Sequence, residues 1–189
     1  TWLSMQLQEK QRVVDDLIAC MKYIHGFQNL TGIPSVHDNR IETIRHWAYL
    51  TNPHITGALT DISFENITLM IENIKNEKNY LIHNDIRYKN ILLENTVFSG
   101  IIDFETSNLA PIRFEYYWLL LTNFYVLSTE CKDSWEFEKD FCIMLSRSIH
   151  SDYPALLEHT NKQEFQAFCF MAYIKKLWQY NEPRYNHEE

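Results

Sequence analysis

Glycine and proline are scarce in this 189-residue chain, with four and five copies. A collagen repeat, a flexible linker or a low-complexity segment would need far more of both. A β-sandwich would also need frequent turn residues, so this class is disfavoured. Cysteine is sparse as well, and no pair has the CxxC or zinc-ligand spacing. We expect buried, reduced thiols at Cys20, Cys131, Cys142 and Cys169.

Positive charge is in deficit, because 17 Lys and Arg face 25 Asp and Glu, for a net charge of −8. An acidic chain is a poor nucleic-acid ligand but attracts cationic small molecules. The longest apolar run, Tyr116–Leu121, is far too short to cross a membrane. No signal peptide and no initiator Met precede Thr1, so the chain reads as part of a longer protein. We expect no nucleic-acid or membrane partner and a cytoplasmic location.

The remaining composition, 46% apolar and 22% charged, is typical of a globular protein, and we predict one domain over residues 1–189. Apolar residues that recur every three to four positions predict helices through most of the chain. One of these helices, 114–127, is apolar almost all round, as expected at the centre of a fold. The predicted helices span residues 3–27, 39–50, 63–76, 114–127, 134–148 and 162–180.

The apolar pattern changes between the third and fourth predicted helices. Short apolar runs occur at 80–82, 91–93 and 98–102, with a turn signal at Glu94-Asn95-Thr96. This pattern predicts a small β hairpin or meander within a mainly helical chain. The fold class is therefore mainly α with a small β element (α+β).

A distinctive group of polar residues lies among these strands. His83, Asp85 and Asn90 form an H-x-D-x-x-x-x-N loop between two apolar strands, and Asp103 ends the next strand. This spacing is typical of phosphoryl transfer. A carboxylate must orient the attacking hydroxyl and take its proton, and oxygen ligands must hold the Mg²⁺ that bridges the triphosphate. We predict Asp85 as the catalytic base, and Asn90 and Asp103 as ligands of Mg²⁺ and nucleotide.

The loop also contains two cationic side chains and the histidine, for which several roles are compatible with the sequence. Arg87 is predicted as a catalytic cation that neutralises the transferring phosphoryl group. Lys89 is an alternative for that role, and a solvated loop cation is the simpler interpretation of either residue. His83 is predicted to support the loop by hydrogen bonding. For the site as a whole, the competing interpretation is coincidence or a degenerate relic.

The His83–Asp85 stretch with Asn90, followed by Ile101–Glu105, resembles the aminoglycoside phosphotransferase and choline kinase superfamily. The resemblance implies a protein-kinase-like fold, with this chain as its C-terminal lobe. It also implies transfer of the γ-phosphoryl group of ATP or GTP to the hydroxyl of a small molecule, with Mg²⁺ as cofactor, and the negative net charge is compatible with a cationic acceptor.

The signals for a particular branch of that superfamily conflict. Many antibiotic phosphotransferases have Gly at the position of Asn84, whereas His-Asn-Asp with Lys89 before Asn90 looks more like choline and ethanolamine kinases. Those kinases, however, commonly have an aromatic residue where this chain has Thr106, and an Asp where it has Glu115. The choline-binding residues are therefore not carried over, and the acceptor stays open.

A Gly-rich phosphate loop and a phosphate-clamping lysine have no candidates in this chain. The resemblance therefore implies that an N-terminal nucleotide lobe is missing, and that these 189 residues fold but do not catalyse transfer alone. The alternative function is a non-catalytic half-kinase that binds a ligand or a partner. A true protein kinase is disfavoured, because the loop reads His-Asn-Asp rather than His-Arg-Asp and no Ala-Pro-Glu follows.

Overall fold

The computed structural model describes residues 2–28, 30–35, 61–74, 76–128 and 136–181. These residues confirm the mainly helical α+β class. They fall into two compact units, one of Thr1–Pro34 with Lys78–His159 and one of Ser35–Glu77 with Thr160–Glu189. In chain order the elements are α1 (Leu7–Ile24), α2 (Asp61–Ile74), β1 (Tyr80–Ile82), β2 (Ile91–Glu94), β3 (Val97–Ile101), β4 (Asn108–Ala110), α3 (Arg113–Ser128), α4 (Glu136–Asp152) and α5 (Lys162–Asn181).

The bounds of the first helix differ from the prediction of 3–27. Trp2–Ser4 form a short 3₁₀ turn, and α1 begins only at Leu7. Gln6 lies at the N-cap, where its backbone N–H donates to Oε2 of Glu9 at 2.7 Å. Such a cap satisfies one of the free donors of the first turn, so it fixes where the helix begins. Apolar periodicity alone does not detect that signal.

The other predicted helices agree in position and differ at their ends. The helix predicted at 63–76 spans Asp61–Ile74, and the one predicted at 134–148 spans Glu136–Asp152. The prediction at 39–50 lies outside the described residues. No helix of the described residues is long and apolar enough to cross a membrane.

The β structure confirms the predicted hairpin but not a meander. β2 and β3 pair antiparallel, and the two-residue turn falls at Asn95 and Thr96, both with positive φ, as a type I′ turn requires. β1 does not join them. It pairs with β4, a three-residue strand that the apolar pattern did not indicate. The structure therefore has two separate two-stranded sheets in the described part of the chain.

The core of the first unit lies between α1, α4 and the β2–β3 hairpin. Its largest fully buried side chain is Trp2, whose ring packs edge-on against Phe141 and Tyr88. In α3, the rings of Phe114 and Tyr117 are buried and the other described positions are at most half-exposed, which agrees with the central position predicted for this helix. Further core residues are Val14, Leu17, Met21, Ile91, Phe141, Leu145 and Leu156.

The second unit is built on the contact between α2 and α5. Its buried side chains include Ile67, Ile74 and Phe168. At its edge the side chain of Gln163 donates to Oδ1 of Asn66 at 3.2 Å. Apolar residues on one stripe of each helix thus cover one another, as expected for a helix pair.

The thiols of the described cysteines are all free. Cys142 is buried, and burial raises the pKa of its thiol to about 12. Cys20 and Cys169 are only half-buried, so the expectation of buried thiols was wrong for these two. Cys131 lies outside the described residues.

Candidate active site

Four of the predicted site residues lie in one loop between β1 and β2. His83, Asp85, Arg87 and Asn90 follow the end of β1, and Tyr88–Asn90 close the loop with a 3₁₀ turn. The backbone N–H of Asn90 donates to the carbonyl of Arg87 at 2.9 Å. The four residues between Asp85 and Asn90 therefore form a compact reversal that brings these two side chains together.

The carboxylate of Asp85 has a partner at each oxygen. Asn90 Nδ2 donates to Oδ2 at 2.9 Å and to the backbone carbonyl of Asp85 at 2.8 Å. Arg87 Nε lies 3.1 Å from Oδ1. The carboxylate is nevertheless 24% exposed. Asp85 is thus held in one orientation while remaining accessible.

His83 has a fully buried ring that connects the loop to the end of β3. Nδ1 accepts from the backbone N–H of Asp85 at 3.2 Å, so the ring proton is on Nε2, which donates to the carbonyl of Ile102 at 2.9 Å. The carbonyl of His83 also accepts from the hydroxyl of Thr106 at 3.2 Å. Both ring nitrogens are thus used inside the protein, which suits a supporting residue rather than a proton carrier.

Asn84 occupies a backbone position that few residues tolerate. Its φ is 67°, in the left-handed region where Gly is most easily accommodated and Asn is the commonest substitute. Its side-chain amide donates to the carbonyl of Thr106 at 2.9 Å. The requirement for positive φ explains in physical terms why Gly and Asn both suit this position.

Glu115 of α3 is a residue of this region to which sequence reasoning assigned no role. Its side chain is 0% exposed. It accepts from the backbone N–H of His83 at 2.5 Å and from that of Asn84 at 3.0 Å. The available signal was a carboxylate within an otherwise apolar helix, since a buried charge requires specific partners.

Asp103 begins a turn next to this loop. The backbone N–H of the preceding residue, Ile102, donates to the carbonyl of Asn90 at 2.9 Å, so the chain reaches Asp103 directly beside Asn90. Asp103 has a φ of 69° and precedes a 3₁₀ turn at Phe104–Thr106. Asp103 is exposed. The two predicted metal ligands are therefore on neighbouring backbone segments.

The donor atoms of these two residues fit a hard divalent cation. The amide nitrogen of Asn90 is committed to Asp85, which leaves its oxygen to face a cation, and Asp103 supplies a carboxylate. The described residues contain no cluster of three or more His, Cys, Asp or Glu that could hold a metal. Mg²⁺ typically takes only one or two carboxylates from the protein and the rest from phosphates and water.

One face of the hairpin beside these ligands is apolar and open. Leu92 pairs with Gly100 across β2 and β3, and Ile102 follows two residues later on the same face. Leu92 and Ile102 are both exposed. A Cβ built at Gly100 would meet no atom within 4 Å, so the surface between them is unfilled.

The comparisons with known proteins agree with this arrangement. The profile of the phosphotransferase enzyme family (APH) matches residues 2–138. Among solved structures, the ADP-bound aminoglycoside phosphotransferase APH(2'')-Ib is similar, with 18% identity and a TM-score of 0.54 over 100% of this chain and 61% of that chain. The streptomycin–ATP–APH(2'')-IIa ternary complex is similar at 20% identity and a TM-score of 0.52, over 93% of this chain and 58% of that chain.

The search of curated proteins gives no match. The chain spans about three fifths of each of the two solved structures. The two likenesses show a shared kinase-like α+β fold, and the family profile covers more than half of the chain. The chain therefore belongs to the phosphotransferase enzyme family.

Proposed function

We propose that this chain is the C-terminal, acceptor-binding lobe of a small-molecule kinase. The enzyme would transfer the γ-phosphoryl group of ATP or GTP to a hydroxyl, with Asp85 as the general base. The observation that supports this most directly is the Asp85 carboxylate, which is fixed by Asn90 and Arg87 and still accessible. Proton transfer needs a base whose orientation is set before the substrate arrives.

Asn90 and Asp103 would hold Mg²⁺ in this proposal. The ion, when bound, would bridge the phosphates and neutralise their charge. Asn90 would link the two halves of the site, because its amide nitrogen binds the Asp85 carboxylate and its side-chain oxygen would be the ligand of the cation. The nearness of Asp103, through the bond between Ile102 and Asn90, supports a shared ligand set.

The open apolar face of Leu92, Gly100 and Ile102 would receive the nucleobase. A purine ring is flat and gains from covering apolar surface. Both exposed side chains lie near the proposed metal ligands in sequence, since Leu92 follows Asn90 by two residues and Ile102 immediately precedes Asp103. A base on this face would therefore place its phosphates towards Asn90 and Asp103.

Arg87 would act first on the base and then on the phosphoryl group. Its Nε contacts Asp85, and its terminal nitrogens carry four further N–H donors that can bind phosphate oxygens. The acceptor is proposed as a small molecule with a free hydroxyl, and the net charge of −8 favours a cationic one. Glu115 is not available to such an acceptor, because it is buried behind the loop.

The phosphate-covering loop and the clamping lysine are proposed to lie in another part of the whole protein. These 189 residues alone are therefore expected to show no turnover. A cytoplasmic location of the protein stays a prediction. The second candidate, a non-catalytic binding module, is less well supported because Asp85, Asn90 and Asp103 are all retained.

The test is a transfer assay on the full-length protein with γ-labelled ATP and GTP. Aminoglycosides, macrolides, choline, ethanolamine and sugar alcohols are supplied as acceptors, with the Asp85→Asn variant as the blank. Label in an acceptor above that blank supports the proposal. Nucleotide or acceptor binding without any transfer by the wild-type protein would support the binding module instead.

A further inference from the structure

A buried row of polar side chains lies behind the Asp85 loop. The hydroxyl of Tyr153 is 2.9 Å from Nδ1 of His25. On the other side of the ring, Nε2 of His25 is 3.5 Å from Oε2 of Glu115. Glu115 in turn accepts the backbone N–H groups of His83 and Asn84. Tyr153, His25 and Glu115 take no direct part in the proposed reaction.

This row is assembled from three separate elements. Tyr153 follows α4, His25 is the residue after α1, and Glu115 lies in the first turn of α3. Tyr153 is 9% and His25 5% exposed. Buried polar side chains cost free energy unless each is satisfied, so three of them in contact form a cooperative unit.

The positions of the protons in the row follow from the chemistry of its members. An ionised carboxylate only accepts, so Nε2 of His25 must carry the proton that faces Glu115. In a singly protonated ring, Nδ1 is then an acceptor, and the hydroxyl of Tyr153 must donate to it. Burial and the nearby Glu115 and Tyr80 raise the pKa of Tyr153 to about 12, so this hydroxyl keeps its proton at neutral pH.

Other charged and aromatic groups reinforce this arrangement. The ammonium of Lys22, one turn before His25 on α1, lies 5.3 Å from the centre of the Tyr153 ring. The rings of His25 and Tyr153 also contact one another, with centroids 5.7 Å apart. The ring contact keeps Tyr153 packed beside His25.

We propose that Tyr153 is a positioning residue for phosphoryl transfer, which acts by donating to Nδ1 and so stabilising the Nε2–H tautomer of His25 that faces Glu115. That tautomer presents a donor to Glu115, and Glu115 holds the backbone of His83 and Asn84, immediately before Asp85. A hydroxyl far from the substrate thus sets the orientation of the proposed base. The kinetic part of this inference rests on the proposed function, whereas the tautomer and the loop bonds do not.

The first test needs no activity. In the 189-residue chain labelled with ¹⁵N, the side-chain nitrogens of His25 are observed by NMR, and the amide exchange of His83 and Asn84 is measured. We expect Nε2–H in the wild-type protein, and a mixture of tautomers with roughly 3–10-fold faster exchange in Tyr153→Phe, the effect of losing about one hydrogen bond. Tyr23→Phe, which removes a hydroxyl from a side chain 70% exposed on α1, is the matched control and should change neither.

The second test is a double-mutant cycle in the full-length enzyme. Tyr153→Phe should lower kcat about 3–10-fold with an unchanged KM for the nucleotide. His25→Gln places a donor near Nε2 without needing Tyr153, so Tyr153→Phe should have no further effect in that background. Additive losses, or a protonated Nδ1 in the wild-type chain, would overturn the inference.

The two tests separate the possible failures. A wild-type enzyme without any turnover contradicts the proposed function, while the NMR comparison still decides the role of Tyr153. If Tyr153→Phe does not fold, two other measurements decide instead: the tautomer of His25 in the wild-type protein, and the amide exchange of His83 and Asn84 in His25→Gln. A proton on Nε2 of His25, together with wild-type-like amide exchange in His25→Gln, supports the inference. Any other result for that pair contradicts it.

Discussion

The two segments that carry the proposed chemistry are built in opposite ways. In the His83–Asn90 loop, His83, Asn84 and Asn90 are buried, and hydrogen bonds from β3, from α3 and within the loop hold it. In the Asp103–Thr106 turn, the first three residues are exposed, and the Asp103 side chain makes no capping hydrogen bond with the turn it begins. The fold therefore fixes Asp85, the proposed base, before any ligand binds, and it leaves the carboxylate of Asp103 accessible to a ligand.

This difference separates two kinds of substitution. Changes in the loop should weaken folding and turnover together, because the same hydrogen bonds support both. Changes in the turn should affect ligand binding and leave folding almost intact.

The largest effect on ligand binding is expected at Asp103. Asp103→Asn keeps a residue that tolerates positive φ, so the free energy of unfolding should change by less than about 0.5 kcal/mol. Affinity for Mg·ATP in the full-length protein should nevertheless fall about 10²-fold or more, since even partners of metal ligands contribute 10–100-fold. Calorimetric titration and thermal denaturation measure the two quantities. Unchanged affinity would remove Asp103 from the metal site.

The next effect is expected at Glu115. Glu115→Gln replaces a buried acceptor of two backbone N–H groups by a neutral amide, and we expect a loss of about 2–3 kcal/mol in the free energy of unfolding. Urea denaturation measures it. Glu105→Gln, at an exposed position of the turn, is the control and should stay within about 0.5 kcal/mol. Equal stabilities for these two variants would contradict the difference between the hydrogen-bonded loop and the exposed turn.

A smaller effect is expected at Asn84. Asn84→Ala loses the bond to Thr106 and places a Cβ in the left-handed region, for a combined loss of about 2 kcal/mol. Asn84→Gly loses the same bond but removes the backbone strain, so it should cost only about 1 kcal/mol. The order of the two melting temperatures is the test. A glycine variant less stable than the alanine variant would refute the role of backbone conformation here.

The smallest effect is expected at Asp140 of α4, which belongs to neither segment. Its hydrogen bonds to Lys10 and to the Trp2 ring nitrogen lower the pKa of its carboxyl below the usual 3.8. The carboxylate therefore stabilises the fold above that pH, and this contribution is lost as the pH falls through the lowered pKa. Because the side chain is 43% exposed, Asp140→Asn should cost less than about 1 kcal/mol at pH 7.

The comparison of wild-type and Asp140→Asn stability should be made over a series of pH values. The difference between them should shrink below pH about 3.8 and vanish at lower pH, where both side chains are uncharged. A difference that stays constant into acid would mean that the carboxylate charge does not matter.

The sequence predicted those features that depend on local pattern. The long apolar stripes located the helices, and the short apolar runs around Asn95 located the hairpin. The spacing of Asp85 and Asn90 also indicated that the two residues belong to one loop between two strands. These features could be predicted because their patterns are visible over short stretches of sequence.

Features that depend on distant contacts could not be predicted in this way. β4 is a strand only because Asn108–Ala110 meets β1, about 28 residues earlier in the chain by the antiparallel register. Glu115 is 31 residues from Asn84 in sequence, so no local pattern could show which backbone groups this carboxylate accepts from. The burial of Trp2 likewise depends on its packing against Phe141, which lies on α4 in a distant part of the chain.

The most direct test of the whole account is the Asp85→Asn variant of the full-length protein, measured for turnover and for nucleotide affinity together. Asparagine keeps the size of the side chain and removes its ability to accept a proton. The account predicts a fall in kcat of about 10²–10⁴-fold, with Mg·ATP affinity largely unchanged. A kcat near that of the wild-type enzyme would contradict the assignment of Asp85 as the base, and with it the central claim.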